Sequence, residues 1–96
     1  MRINKFEIDS IKQITRRVFG ENAKVFLFGS RVDDTLLGGD IDLYIQSKNK
    51  DDLYSKQTRF TIDLKIAIGD QKIDVIVAKN PERLIEKEAL SKGIML

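Results

Sequence analysis

Two apolar runs too short to be helices constrain this chain more than anything else in it. Lys24-Val25-Phe26-Leu27-Phe28 is continuous, rich in strand formers and closed by Gly29. Lys72-Ile73-Asp74-Val75-Ile76-Val77-Ala78 is its counterpart, with one charge in the middle. Runs of this length between turn residues read as buried strands. A third segment alternates Ile41, Leu43 and Ile45 with Asp40, Asp42, Tyr44 and Gln46, the period of a half-buried strand. Helical spacing fills the gaps. Asp9-Ser10 offers a cap for a helix with Ile11, Ile14 and Val18 on one side, ended by an αL cap at Gly20. Asp51-Asp52 opens a second, with Leu53, Phe60, Leu64, Ala67 and Ile68 in its stripe, Gln57 interrupting it and Gly69 ending it. Asn80-Pro81-Glu82 starts a third that runs to about Lys92 and stops at Gly93. The order helix, strand, short helix, strand, helix, strand, helix predicts an α/β (α+β) fold of about three strands and helices, a single domain over 1–96.

Composition removes whole classes of chemistry. A chain of 96 residues supports one core, burying roughly 60–70% of its unfolded surface. It has no Cys and no His, which excludes a disulfide framework, a thiolate nucleophile, a His-based triad and any ordinary zinc site. With 17 basic and 15 acidic residues the net charge is only +2, which gives no general nucleic-acid footprint. No apolar run approaches the ~18–20 residues of a membrane span. The N-terminus, Met1-Arg2-Ile3-Asn4-Lys5, lacks a signal-peptide core, so the cytoplasm is the expected compartment. Any catalysis must therefore run on Asp, Glu, Lys, Arg, Ser, Thr or Tyr, with or without a hard metal ion.

The candidate site lies between Gly29 and Asp42. Gly29-Ser30 follows a buried strand, where a glycine permits a tight turn and close approach of backbone to ligand. Ser30 then opens a short helix, offering its hydroxyl and free N–H groups to phosphate oxygens. Arg31 adds a cation with several donors, either to phosphate or to a surface pair with Asp33 or Asp34. Asp40 and Asp42 are two apart on a strand, so both carboxylates leave one face while Ile41 and Leu43 enter the core. Carboxylates held side by side repel unless a cation lies between them, and without His or Cys that cation is Mg²⁺ first. Asp74 in an apolar strand wants a cleft or the same metal. Three carboxylates facing a Gly-Ser turn can hold two metals for an in-line phosphoryl displacement.

The pattern G-S-x(9)-D-x-D, followed by a lone Asp within a later strand, resembles the nucleotidyltransferase superfamily of DNA polymerase beta. More narrowly it resembles the minimal nucleotidyltransferases paired with HEPN-domain partners as toxin–antitoxin modules. The resemblance covers nearly the whole chain and implies a small mixed sheet flanked by helices. It also implies Mg²⁺ (two ions) and ATP as substrate, with transfer of a nucleoside monophosphate to a hydroxyl and loss of pyrophosphate. By position, Gly29 and Ser30 would hold the triphosphate, with Arg31 beside them. Asp40 and Asp42 would ligate both metals, and Asp74 would ligate the catalytic metal and help deprotonate the acceptor. The implied acceptor is a tyrosine of a HEPN toxin in a hetero-oligomer, which adenylylation silences. Two departures stand out. Val32 replaces a residue that is often small, and only 22 residues follow Asp74, too few for the acceptor-binding domain of larger relatives.

Each feature alone has a plainer reading. Gly-Ser turns are common, Asp40-x-Asp42 after Gly38-Gly39 suits a solvated strand face beside a hairpin, and Asp74 suits an edge strand. Ile62 and Ile66 widen the core face of the second helix or form a docking surface, whereas Lys48, Lys50 and Lys56 read as solvated charges. Two other functions compete: a non-enzymatic antitoxin that occludes its partner, and the catalytic subunit of a two-chain enzyme acting on a small molecule or RNA.

Overall fold

The computed structural model of the chain describes residues 2–32 and 39–96. The described elements, in chain order, are α1 (Lys5–Phe19), β1 (Lys24–Phe28), a 3-10 turn (Gly29–Val32), β2 (Ile41–Gln46), α2 (Leu53–Ile68), β3 (Ile73–Val77), α3 (Leu84–Lys92) and β4 (Ile94–Met95). They build a mixed four-stranded sheet in the order β3-β2-β1-β4. β1 pairs antiparallel with both β2 and β4, and β2 pairs parallel with β3 across the α2 crossover. The fold class expected from the sequence stands, with one strand more than the three expected. Ile94-Met95 is too short to show a period, and it becomes a strand only because β1 offers it an edge.

Helix starts are where local signals misled. α1 begins at Lys5, four residues before Asp9. Asn4 accepts from Glu7 N at 2.8 Å and Glu7 Oε1 accepts from Asn4 N at 3.1 Å, a reciprocal capping box. Gly20 ends it at φ 108°, ψ 162°, which is not the αL geometry expected. At the third helix, Asn80 organises a turn instead of a cap, accepting Glu82 N at its side chain and Arg83 N at its carbonyl. α3 therefore starts at Leu84.

α1 and α2 pack on one face of the sheet. Ile11, Ile14, Phe19, Phe60 and Leu64 meet Val25, Leu27, Leu43, Ile45 and Val75 there, with the Phe19 and Phe60 rings 5.9 Å apart. The opposite face is half covered by α3, which closes over Phe28, Tyr44 and Ala78 through Ala89 and Ile85. Tyr44 is thus fully buried, although its position in the alternation of β2 suggested a half-exposed polar face. Gln57 breaks the α2 stripe for a reason: its Nε2 donates to Val75 O at 2.7 Å on the outer side of edge strand β3. Of the two readings of Ile62 and Ile66, a wider core face does not hold: they are 52% and 79% exposed, and Ala67, expected in the stripe, is exposed as well. α1 and β3 already fill the buried side of α2, so its second stripe faces outward with Tyr54.

α3 is fastened by a buried carboxylate. Glu86 is fully buried and accepts hydrogen bonds from Tyr44 Oη (2.8 Å), Asn80 N (3.0 Å), Lys79 N (3.2 Å) and Arg83 Nη1 (3.3 Å). Burial alone would raise its pKa. The donors from Asn80, Tyr44, Lys79 and Arg83 outweigh burial and hold it below the usual glutamate value.

Candidate functional site

The open half of the second sheet face carries the predicted acids. Register explains their grouping. Asp42 lies directly opposite Asp74 across the parallel β2–β3 pair, and Ile41 N donates to Lys72 O at 3.0 Å one step earlier. Residues two apart share a face, so Asp40, Asp42, Lys72 and Asp74 form the corners of one small patch. α3 stops short of it, and Asp74 is exposed while Asp42 is partly buried.

Gly29 joins this patch from β1. It has φ 76°, and a Cβ added there would collide with the Asp42 carboxylate. The turn and the acid are therefore in contact, and only glycine allows it. Gly29→Ala should cut any activity that depends on this patch about a hundredfold by pushing the carboxylate aside. Steady-state rates of purified variant and parent check this; an unchanged rate would remove Gly29 from the site.

The acids do not form a ready-made cage. Among the described residues no three acidic side chains are close enough to hold one metal ion. Asp42 and Asp74 are adjacent, but the Asp40 carboxylate is turned to Lys72 Nζ at 3.3 Å. Asp42 titrates above the usual aspartate value, through burial first and then through the charges of Asp74 and Asp40; Lys72 offsets this only in part. Lys72 is itself held protonated by its hydrogen bond and ion pair with Asp40, reinforced by Asp74 and Asp42. A half-buried carboxylate facing two others is the environment that favours a hard divalent cation. In chemical type the three acids are the hard oxygen donors that Mg²⁺ takes; in placement only Asp42 and Asp74 stand together, and Asp40 would have to leave Lys72 to join them.

Arg31 is tied into the protein among the described residues. Its guanidinium donates to Arg2 O (2.9 Å), Gly39 O (2.7 Å) and Gln71 Oε1 (3.2 Å), so it is committed to the protein and not held out to a phosphate. The alternative partners Asp33 and Asp34, and Gly38 of the supposed hairpin, lie outside the described residues. Sequence reasoning missed Lys72 and Gln71. The alternation that gave Asp40 and Asp42 a common face also pairs Lys72 with Asp74, so Lys72 was within reach; nothing local marked Gln71.

The sequence profile of the family described as Polymerase beta, Nucleotidyltransferase matches residues 9–96. The chain belongs to that family. This nucleotidyltransferase domain thus places the strand–Gly-Ser turn–strand unit and the later acidic strand around one patch. No curated protein matches the chain. No helix among the described residues of the nucleotidyltransferase is long and apolar enough to cross a membrane.

Proposed function

We propose that the protein is a Mg²⁺-dependent nucleotidyltransferase that moves AMP from ATP to a hydroxyl on a partner protein, a HEPN-type toxin tyrosine by family resemblance, and so acts as an antitoxin. The observation that carries this reading is the contact of the Gly29 turn with the Asp42–Asp74 pair. Gly29 and Ser30 would take the triphosphate on backbone N–H groups and the Ser30 hydroxyl, while Asp40, Asp42 and Asp74 would hold the metal. Bound Mg²⁺ supplies neutralisation of the charge on the phosphates during displacement. Asp74 accepts the proton of the attacking hydroxyl, whose oxygen bonds to the α-phosphorus as the bond to pyrophosphate breaks.

Incubating the purified protein with the product of the adjacent reading frame, Mg²⁺ and each of the four NTPs tests this by intact mass. The expected result is one or more nucleoside monophosphate increments on the partner, with ATP as donor. No increment with any NTP would overturn it, and label on RNA or a small molecule would move the acceptor class. A binding-only antitoxin draws support from the outward stripe of Tyr54, Ile62 and Ile66 on α2. Protection of cells by a chain with all three acids changed to Asn would favour it.

A further inference from the structure

We propose that Arg31 is a positioning residue that locks together the three segments carrying the acidic patch and the Gly-Ser turn. This rests on the transferase reading above in one respect only, that the patch binds a divalent cation. Gly39 precedes Asp40, Gln71 precedes Lys72 by one residue and Asp74 by three, and Ser30 precedes Arg31 itself. One guanidinium thus bridges the start of β2, the approach to β3 and the turn after β1. Binding the Gly39 carbonyl fixes the peptide plane that leads into Asp40.

The bridge continues into the body of the protein. Gln71 Nε2 donates to Glu7 Oε2 at 2.8 Å and to Ile68 O at 3.2 Å, which ties it to the capped start of α1 and the end of α2. Arg2 also closes on the turn through backbone and side chain: Arg2 N donates to Arg31 O at 2.7 Å, and Arg2 Nη2 to Ser30 O at 3.2 Å. Three Arg31 N–H groups are engaged, and its Nε is buried with no partner among the described residues. That leaves little of the guanidinium for a phosphate. A planar fork of fixed donors suits three acceptors held at once, and a lysine ammonium does not reproduce it.

The test measures Mn²⁺ affinity by calorimetry for the full chain, Arg31→Lys, Arg31→Met and Gln71→Met, alone and with inorganic tripolyphosphate. Groups that orient metal ligands typically contribute 10–100-fold in affinity. Both Arg31 variants are expected to bind Mn²⁺ at least about tenfold more weakly. Gln71→Met, which removes one tether of three, should lose less and stays informative if the Arg31 variants do not fold. The gain in affinity from tripolyphosphate should be equal in all four proteins. Unchanged Mn²⁺ affinity with the tripolyphosphate gain lost would make Arg31 a phosphate ligand and overturn the proposal. If the parent binds no Mn²⁺, the transferase reading falls. The clamp is then judged by amide exchange from Gly39 to Asp42, expected to quicken about tenfold in the variants by loss of the local tether. Unchanged exchange would overturn it.

Discussion

Asparagine at position 42 should abolish nucleotidyl transfer and raise the melting temperature of the metal-free protein. Asp42 is held above its ordinary pKa of 3.8 by burial, then by Asp74 and Asp40. A carboxyl raised on folding binds its proton more tightly in the native state than in the unfolded one. Well below pH 3.8 both states are protonated and nothing is lost; as pH rises through the native value, ionised Asp42 costs stability. The variant should therefore gain little in acid and most at neutral pH, a widening gap that thermal melts from pH 4 to 8, on the order of that range, will display. Activity should fall about a thousandfold or more, since an amide would hold the proposed metal poorly and the positive charge offered to the transferring phosphate would go with it. Mg²⁺ should raise the parent's melting temperature and leave the variant's unmoved. A variant that melts lower than its parent, or still transfers, would contradict this account.

Glu86→Ala carries the largest expected cost in stability. It leaves the buried Tyr44 hydroxyl and the part-buried N–H groups of Lys79 and Asn80 without their acceptor. At about 1–3 kcal/mol for each unsatisfied group, the total reaches about 3 kcal/mol or more. For a domain of this size that lowers the melting temperature by more than about 10 °C. Glu86→Gln keeps one acceptor oxygen and should fall between. The pH dependence has the opposite sign to that of Asp42. Because Glu86 titrates below its ordinary 4.5, its contribution is complete above pH 4.5 and is lost as pH falls through the native value. Parent and variant should converge in strong acid. Calorimetric melts at several pH values decide it, and a difference independent of pH would assign the loss to packing alone.

Strand positions and the common face of Asp40 and Asp42 were legible because strand alternation is a local rule, and β1 came out over the residues expected. The helix starts were not: Asn4 and Glu7 satisfy each other reciprocally, a better cap than Asp9-Ser10, and Asn80 closes a turn first. Burial of Tyr44 and exposure of Ile62 and Ile66 depend on which helix covers which side, a tertiary fact that periodicity does not contain. The site divides in the same way. Residue types and spacing pointed to the acids and to Gly29, whereas the commitment of Arg31 to Gly39 and Gln71 joins positions far apart in the chain.

The Lys72–Asp40 contact gives the fold a tolerance that three clustered acids would otherwise deny it. An ammonium supplied by the chain stands beside the acids as a placeholder and offsets part of their mutual repulsion when no cation is bound. The hold is light, since an ion pair this open to water is worth under about 1 kcal/mol. A divalent ion bound as proposed would displace it easily, and the freed lysine would be left next to the ground where a polyanion would come to rest.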